Sequence, residues 1–243
     1  VDMLEKNLLI NLNVVKCSYQ FGVKHFIGCL STCIFPDKTT YPIHEKMLHN
    51  GPPHISNDSY AYAKRMLEIQ CNAYREQYGC NFMCIIPTNI YGPHDNFNLT
   101  DSHVIPGLIH KCYLAKKNSQ DFIVSGTGKP LRQFIYSRDL AKFILWILNN
   151  EISNESLILA PNPDDEISIE QVAKRIAKEF NYPDRLTYDN TRSDGQYRKT
   201  ADNKCLRQLY GDLDLTSIES GIKETVHWLS LIHISEPTRL LSI

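Results

Sequence analysis

The sequence predicts an α/β protein built on a doubly wound parallel sheet, with a smaller mixed α/β lobe for substrate. Three observations lead there. Short apolar runs alternate with amphipathic helical patterns, the breaks between them carry Gly, Pro and Asp, and 243 residues suffice for one large domain plus a smaller lobe. Such alternation implies parallel βαβ units joined by right-handed crossovers.

Leu8, Leu9, Leu12, Val15 and Tyr19 recur at helical spacing, and Gly22 ends that helix before an apolar strand from His25 to Leu30. A Pro-, Asp- and Thr-rich loop (Phe35 to Pro53) leads to a second helix ending near Tyr78 and a strand from Phe82 to Ile86. Residues 87 to 112 read as a loop region opening a further helix. Short strands at Phe122 to Ser125 and Phe134 to Tyr136 flank the turn Gly126-Thr127-Gly128. Ser137-Arg138-Asp139 caps a helix through about Leu148, with Leu140, Phe143, Ile144 and Ile147 on one face. Leu157 to Leu159 is a strand, and Ser168-Ile169-Glu170-Gln171 opens a helix with Val172, Ile176 and Phe180 inside. A polar segment from Asp189 to Asn203 precedes a last helix, roughly Ser217 to Leu229. Residues 1–92 and 133–160 are expected to form the larger portion, to which a dinucleotide would bind at the sheet's carboxyl edge, and 93–132 and 161–229 the smaller one. Ser230 to Ile243 resemble a translated read-through tail and are expected to be foreign to the fold.

Composition excludes several function classes. A net charge of −1 gives no basic surface for nucleic acid or acidic lipid. No apolar run reaches the ~18 residues of a membrane span, and no signal peptide is seen, so a cytoplasmic location is expected. The eight cysteines form no C-x-x-C pair and read as reduced thiols; no metal site is expected.

Chemistry enters at Tyr60-Ala61-Tyr62-Ala63-Lys64. A tyrosine and a lysine four apart share a helix face, so the ammonium can favour the phenolate and lower the tyrosine pKa. Tyr60 and Tyr62 compete for this role, but only Tyr60 has the four-residue spacing to Lys64. About thirty residues earlier, Ser31-Thr32-Cys33 closes a strand, where the serine can hold the same substrate oxygen. Pro87-Thr88-Asn89 leaves the next strand at its carboxyl end, where open α/β sheets bind ligands.

Ser31-x-Cys33, Tyr60-x-x-x-Lys64 and Pro87-Thr88-Asn89, in this order, resemble the extended short-chain dehydrogenase/reductase family, whose fold is Rossmann-like. Longer runs narrow the resemblance: Leu30 to Pro36, Ile86 to Phe97, and Ser102-His103-Val104-Ile105-Pro106 are similar to members that epimerise and reduce GDP-4-keto-6-deoxy-mannose. The likeness runs from about residue 5 to Leu229.

The resemblance implies NADPH-dependent epimerisation at C3 and C5 and reduction of the 4-keto group, giving GDP-L-fucose. It makes Cys33 and His103 the acid/base pair, Tyr60 the proton donor for reduction, Lys64 its partner and a ribose ligand, and Ser31 the hydrogen bond to the ketone. Leu30, Ser31, Tyr60, Lys64, Pro87, Thr88, Asn89, Ile90 and His103 would meet the NADPH. Lys111, Arg132 and Asp194 would contact the GDP-sugar, with Ser125 standing where the family has a tryptophan. Taken singly, Cys33 reads better as a buried thiol, His103 as a loop histidine and the three charges as solvated. A homodimer through a four-helix bundle is also implied.

Two alternatives remain: a nucleotide-sugar 4-epimerase or dehydratase on the same fold, which needs no such Cys/His pair, and a non-catalytic binding or dimerising module. The glycine-rich G-x-x-G-x-x-G turn that seats a pyrophosphate does not occur in the 243 residues. A chain opening on a mid-domain helix is expected to lack its first βαβ units and to be inactive as it stands.

Overall fold

The computed structural model describes residues 1–153 and 156–235. In chain order the helices are α1 (Asp2–Gln20), α2 (Asp58–Tyr78), α3 (Val104–Lys117), α4 (Ser137–Asn149), α5 (Ile169–Glu179), α6 (Lys204–Tyr210) and α7 (Ile218–Ser235). The strands are β1 (His25–Cys29), β2 (Asn81–Pro87), β3 (Asn89–Tyr91), β4 (Phe122–Ser125), β5 (Leu131–Arg132), β6 (Phe134–Tyr136), β7 (Ser156–Leu159), β8 (Ile167–Ser168) and β9 (Leu186–Asp189). They form two compact units: Val1–Asn89, Leu140–Glu166 and Lys199–Leu213 make the first, and Ile90–Asp139, Ile167–Arg198 and Asp214–Ile243 the second.

In the first unit β1, β2 and β7 make a parallel sheet in the order β1-β2-β7, with Phe26 beside Phe82 and Ile86 beside Ile158. Residues 82–87 of β2 are all buried, as expected of a central parallel strand covered on both faces. Helix α2 packs on β1 and β2, where Leu67 lies against Gly28, and α1 packs on α2. Ile34, Ile43, Phe82, Ile86 and Ile158 form the core, each with about 1 % exposure or less.

The sequence placed Asp189 to Asn203 in one polar segment, but its end is buried structure. Ala201 bridges Ile43, the Thr200 hydroxyl donates to Glu166, and Asn203 Nδ2 donates to the Ala160 carbonyl at 3.3 Å. Residues 199–213, including the unforeseen α6 on β7, therefore belong to the first unit. The expected residue ranges need two more changes: 133–139 lie in the second unit, because β6 pairs with β3, and 161–166 lie in the first.

The second unit pairs β4 with β9 in parallel and β5 with β8 antiparallel. Helices α3, α5 and α7 pack on one another, and α3 also packs on β4; Ile105, Ile109, Phe122, Val172, Ile176 and Ile222 form this core. A reciprocal cap starts α5: Ser168 Oγ accepts from the Gln171 N–H at 3.1 Å and Gln171 Oε1 from the Ser168 N–H at 2.9 Å. Helix α7 runs six residues past Leu229, to Ser235, so the helix itself extends into the expected tail. The rest of the expected tail, 236–243, lies outside the described residues.

Candidate active site

In the first unit the end of β1 leads into a single 3-10 turn, Thr32–Ile34. Ser31 is its N-cap, and its Oγ accepts from the Cys33 N–H at 3.4 Å. Lys64, on α2, donates from Nζ to the Cys29 carbonyl at 3.0 Å and lies 5.6 Å from the centre of the Tyr60 ring. The four-residue spacing thus places phenol and ammonium together at the carboxyl end of β1, beside Ser31 and Cys33. Tyr62 turns away: it is half exposed, with the Arg65 guanidinium 5.6 Å from its ring centre.

The electrostatics correct one expectation. Burial pushes the Tyr60 phenol up to about 12, with Cys33 and Cys29 adding to the rise. Lys64 was expected to pull it down, but its ammonium is bonded to the Cys29 carbonyl instead. Burial likewise raises the Cys33 thiol above its ordinary value; the Ser31 hydroxyl, Lys199 and Lys64 act in the opposite direction. Both groups therefore keep their protons at neutral pH.

Leu30, buried, is hydrogen-bonded through its N–H to Ile85 O at 2.8 Å. Pro87 ends β2, and the Thr88 N–H donates to Leu159 O at 3.2 Å. The Thr88 hydroxyl is buried without a hydrogen-bond partner among the described residues. An orphaned hydroxyl costs free energy unless something satisfies it, and its place in the run expected to meet the NADPH fits a polar cofactor edge. Asn89 and Ile90, the other two residues of that run, are half-buried.

The second unit holds a cleft of about 230 Å³ that gathers all four residues expected at the sugar nucleotide, Lys111, Ser125, Arg132 and Asp194, together with His103. His103 is the exposed N-cap residue of α3, and its carbonyl accepts from the Gly107 N–H at 3.0 Å. Burial raises the Asp95 carboxyl, and His103 is near enough to act against that rise. Lys111 carries no hydrogen bond or ion pair among the described residues. Arg132 is engaged: Nη1 donates to Leu131 O at 2.7 Å and Nη2 to Gln196 O at 2.6 Å.

Asp194, expected as a substrate ligand, is engaged too. Its Oδ1 accepts from the Thr127 N–H and its Oδ2 from the Thr127 hydroxyl, both at 2.7 Å. These bonds hold its carboxyl below the usual carboxylate range. Gly126, at φ 82°, is required here, since a Cβ would strike Asp194 Oδ1. Ser193, absent from the sequence-based set, also lines this cleft, and Thr127, likewise absent, reaches it only through Asp194; only Thr127's place between two glycines hinted at it.

Residues 1–160 match the NAD dependent epimerase/dehydratase family, and the chain belongs to that family. It is 57% identical to the GDP-L-fucose synthase of Dictyostelium discoideum, over 94% of this chain and 71% of the relative. The GDP-L-fucose synthase of Escherichia coli is 32% identical, over 93% of this chain and 73% of the relative. The crystal structure of a GDP-L-fucose synthetase from Naegleria fowleri bound to NADP superposes with a TM-score of 0.92 at 46% identity, covering 98% of this chain and 76% of that one.

Proposed function

We propose that this protein epimerises GDP-4-keto-6-deoxy-mannose at C3 and C5 and reduces its 4-keto group with NADPH, forming GDP-L-fucose. The observation that carries the reading is the cluster at the end of β1, where the Lys64 ammonium on the Cys29 carbonyl brings the helix face bearing Tyr60 beside Ser31 and Cys33. Similarity to GDP-L-fucose synthases supports the choice of substrate.

Lys64, Ser31 and the run Pro87 to Ile90, with the Thr88 hydroxyl, would hold the nicotinamide end of the cofactor, which would supply a hydride to C4 of the ketone. Ser31 donates a hydrogen bond to the C4 oxygen, and Tyr60, protonated at neutral pH, gives that oxygen its proton. Hydrogens at C3 and C5 are acidified by the adjacent ketone, and they project from one face of the ring. One base therefore removes both, and one acid returns protons from the other face. Cys33 rests as a thiol and so enters as the acid; His103 takes the base role. Each inversion leaves this pair charged, so it is reset through solvent before the second. Lys111 and Arg132 meet the diphosphate.

Among the described residues no helix is long and apolar enough to cross a membrane. The protein works in the cytoplasm as a two-fold homodimer. What supports the dimer is the row of exposed Leu9, Leu12, Met66 and Ile69 on α1 and α2. The test of the activity is NMR of the product formed from GDP-4-keto-6-deoxy-mannose and NADPH. GDP-L-fucose is expected; a product reduced at C4 with its C3 and C5 configurations retained would refute the reading.

A further inference from the structure

Arg65 follows Lys64 directly but points to the other side of α2, into the protein. Only 7% of its surface is exposed, and its guanidinium bridges two separate backbone segments. Nε donates to the Ile34 carbonyl at 2.7 Å and Nη2 to the Gly51 carbonyl at 2.8 Å. Ile34 ends the 3-10 turn that carries Cys33, and Gly51 lies in the loop that returns the chain to α2. A buried cation is costly to strand, so this one fixes the peptides it bonds.

The rest of the Cys33 turn is lightly held. Its internal bonds are Ile34 N–H to Ser31 O at 3.1 Å, Phe35 N–H to Thr32 O at 3.4 Å, and the 3.4 Å cap from Ser31 Oγ to the Cys33 N–H. The charge-assisted bond from Arg65 to Ile34 O is the shortest made by the turn, and such bonds are roughly twice as strong as neutral ones. Geometry rather than charge is what Arg65 contributes, because the cations acting on the Cys33 thiol are Lys199 and Lys64. Two carbonyls in different directions call for a planar fork, which lysine lacks.

We propose that Arg65 is a positioning residue for Cys33: by clamping Ile34 O to Gly51 O it holds the thiol where it can return a proton to the sugar. The inference rests on the reading of Cys33 as the acid of epimerisation. It bears first on epimerisation, since Tyr60 and Lys64 stand on α2 itself, while Ser31, the N-cap of the clamped turn, carries any loss into the rate of reduction.

The test compares wild type, Arg65→Met, Arg65→Lys and Cys33→Ser by the rate of inversion at C3 and C5 read by NMR, by the pH profile of reduction of the already epimerised ketone, and by the alkylation rate of Cys33 read on its own peptide. In Arg65→Met, inversion is expected to fall by about 100-fold, the effect of a misplaced catalytic group. The alkylation rate should change while its pH midpoint, and the reduction profile set by Tyr60, stay put. Arg65→Lys, which can keep only one of the two bonds, should also lose inversion, and it carries the test if the methionine variant does not fold. Wild-type inversion in a folded Arg65 variant, with Cys33→Ser unable to invert, would overturn the proposal. Wild-type inversion in Cys33→Ser would instead overturn the reading beneath it.

Discussion

Asp194 and Thr127 form a closed pair: the threonine N–H and hydroxyl each donate to a different oxygen of the carboxylate, both at 2.7 Å. This pairing fixes the Gly126-Thr127-Gly128 turn beside the cleft that Asp194 lines. We expect Asp194→Ala and Thr127→Val each to weaken GDP binding by about tenfold, the effect of losing hydrogen bonds to a charged group. The double variant should be no worse than either single one. Calorimetric titration with GDP checks this; a harmless Thr127→Val beside a damaging Asp194→Ala would restore the carboxylate as a direct ligand.

Cys33 should alkylate slowly at neutral pH. Burial raises its pKa, so the thiolate fraction, and with it the rate, should rise through a midpoint above the ordinary thiol value of about 8.5. Lys64→Met and Lys199→Met should move that midpoint further up, because both ammonium groups favour the thiolate. Iodoacetamide labelling read by peptide mass checks the order; a midpoint at or below the ordinary thiol value would contradict it.

Dimerisation should depend on the apolar row of α1 and α2. Leu12 and Met66 are each about half exposed, and a charge at either should not disturb the core beneath. Leu12→Asp and Met66→Glu are expected to give folded monomers at micromolar concentration in sedimentation. A wild-type chain that is already a folded monomer would refute the interface.

Gly221→Ala sets two effects against each other. Alanine is the better helix former by about 1 kcal/mol, but the new Cβ would run into the Tyr91 phenol, whose residue is 1% exposed and hemmed in. Overpacking of this kind costs about 1–3 kcal/mol, so net destabilisation is expected. Denaturant unfolding giving a more stable variant would show that Tyr91 can move.

The sequence made legible what depends on neighbours along the chain. Tyr60 and Lys64 share a face because four residues make about one helical turn, and β1, β2 and β7 announce themselves as apolar runs. The pairing of β3 with β6 did not show, since each is three residues long and gains its stability only from the other. Ala201 and Asn203 sit in a polar stretch and are buried because Ile43 and Ala160 supply distant partners. At the site, residue types were readable and engagement was not. Nothing local says that Asp194 is taken by Thr127, that Lys64 prefers the Cys29 carbonyl, or that Arg65 turns inward to Ile34.

The central claim, that the groups at the end of β1 divide epimerisation from reduction, is tested most directly by running the reaction in deuterium oxide and reading deuterium at C3 and C5 by NMR. Wild type should incorporate deuterium at both carbons and oxidise NADPH. Tyr60→Phe should still incorporate it while NADPH oxidation stops, and Cys33→Ser should give no inverted product and oxidise no NADPH on the unepimerised ketone, any deuterium it takes up through His103 lying in the original configuration. Loss of incorporation in Tyr60→Phe, or inversion at C3 and C5 at the wild-type rate in Cys33→Ser, would contradict the account.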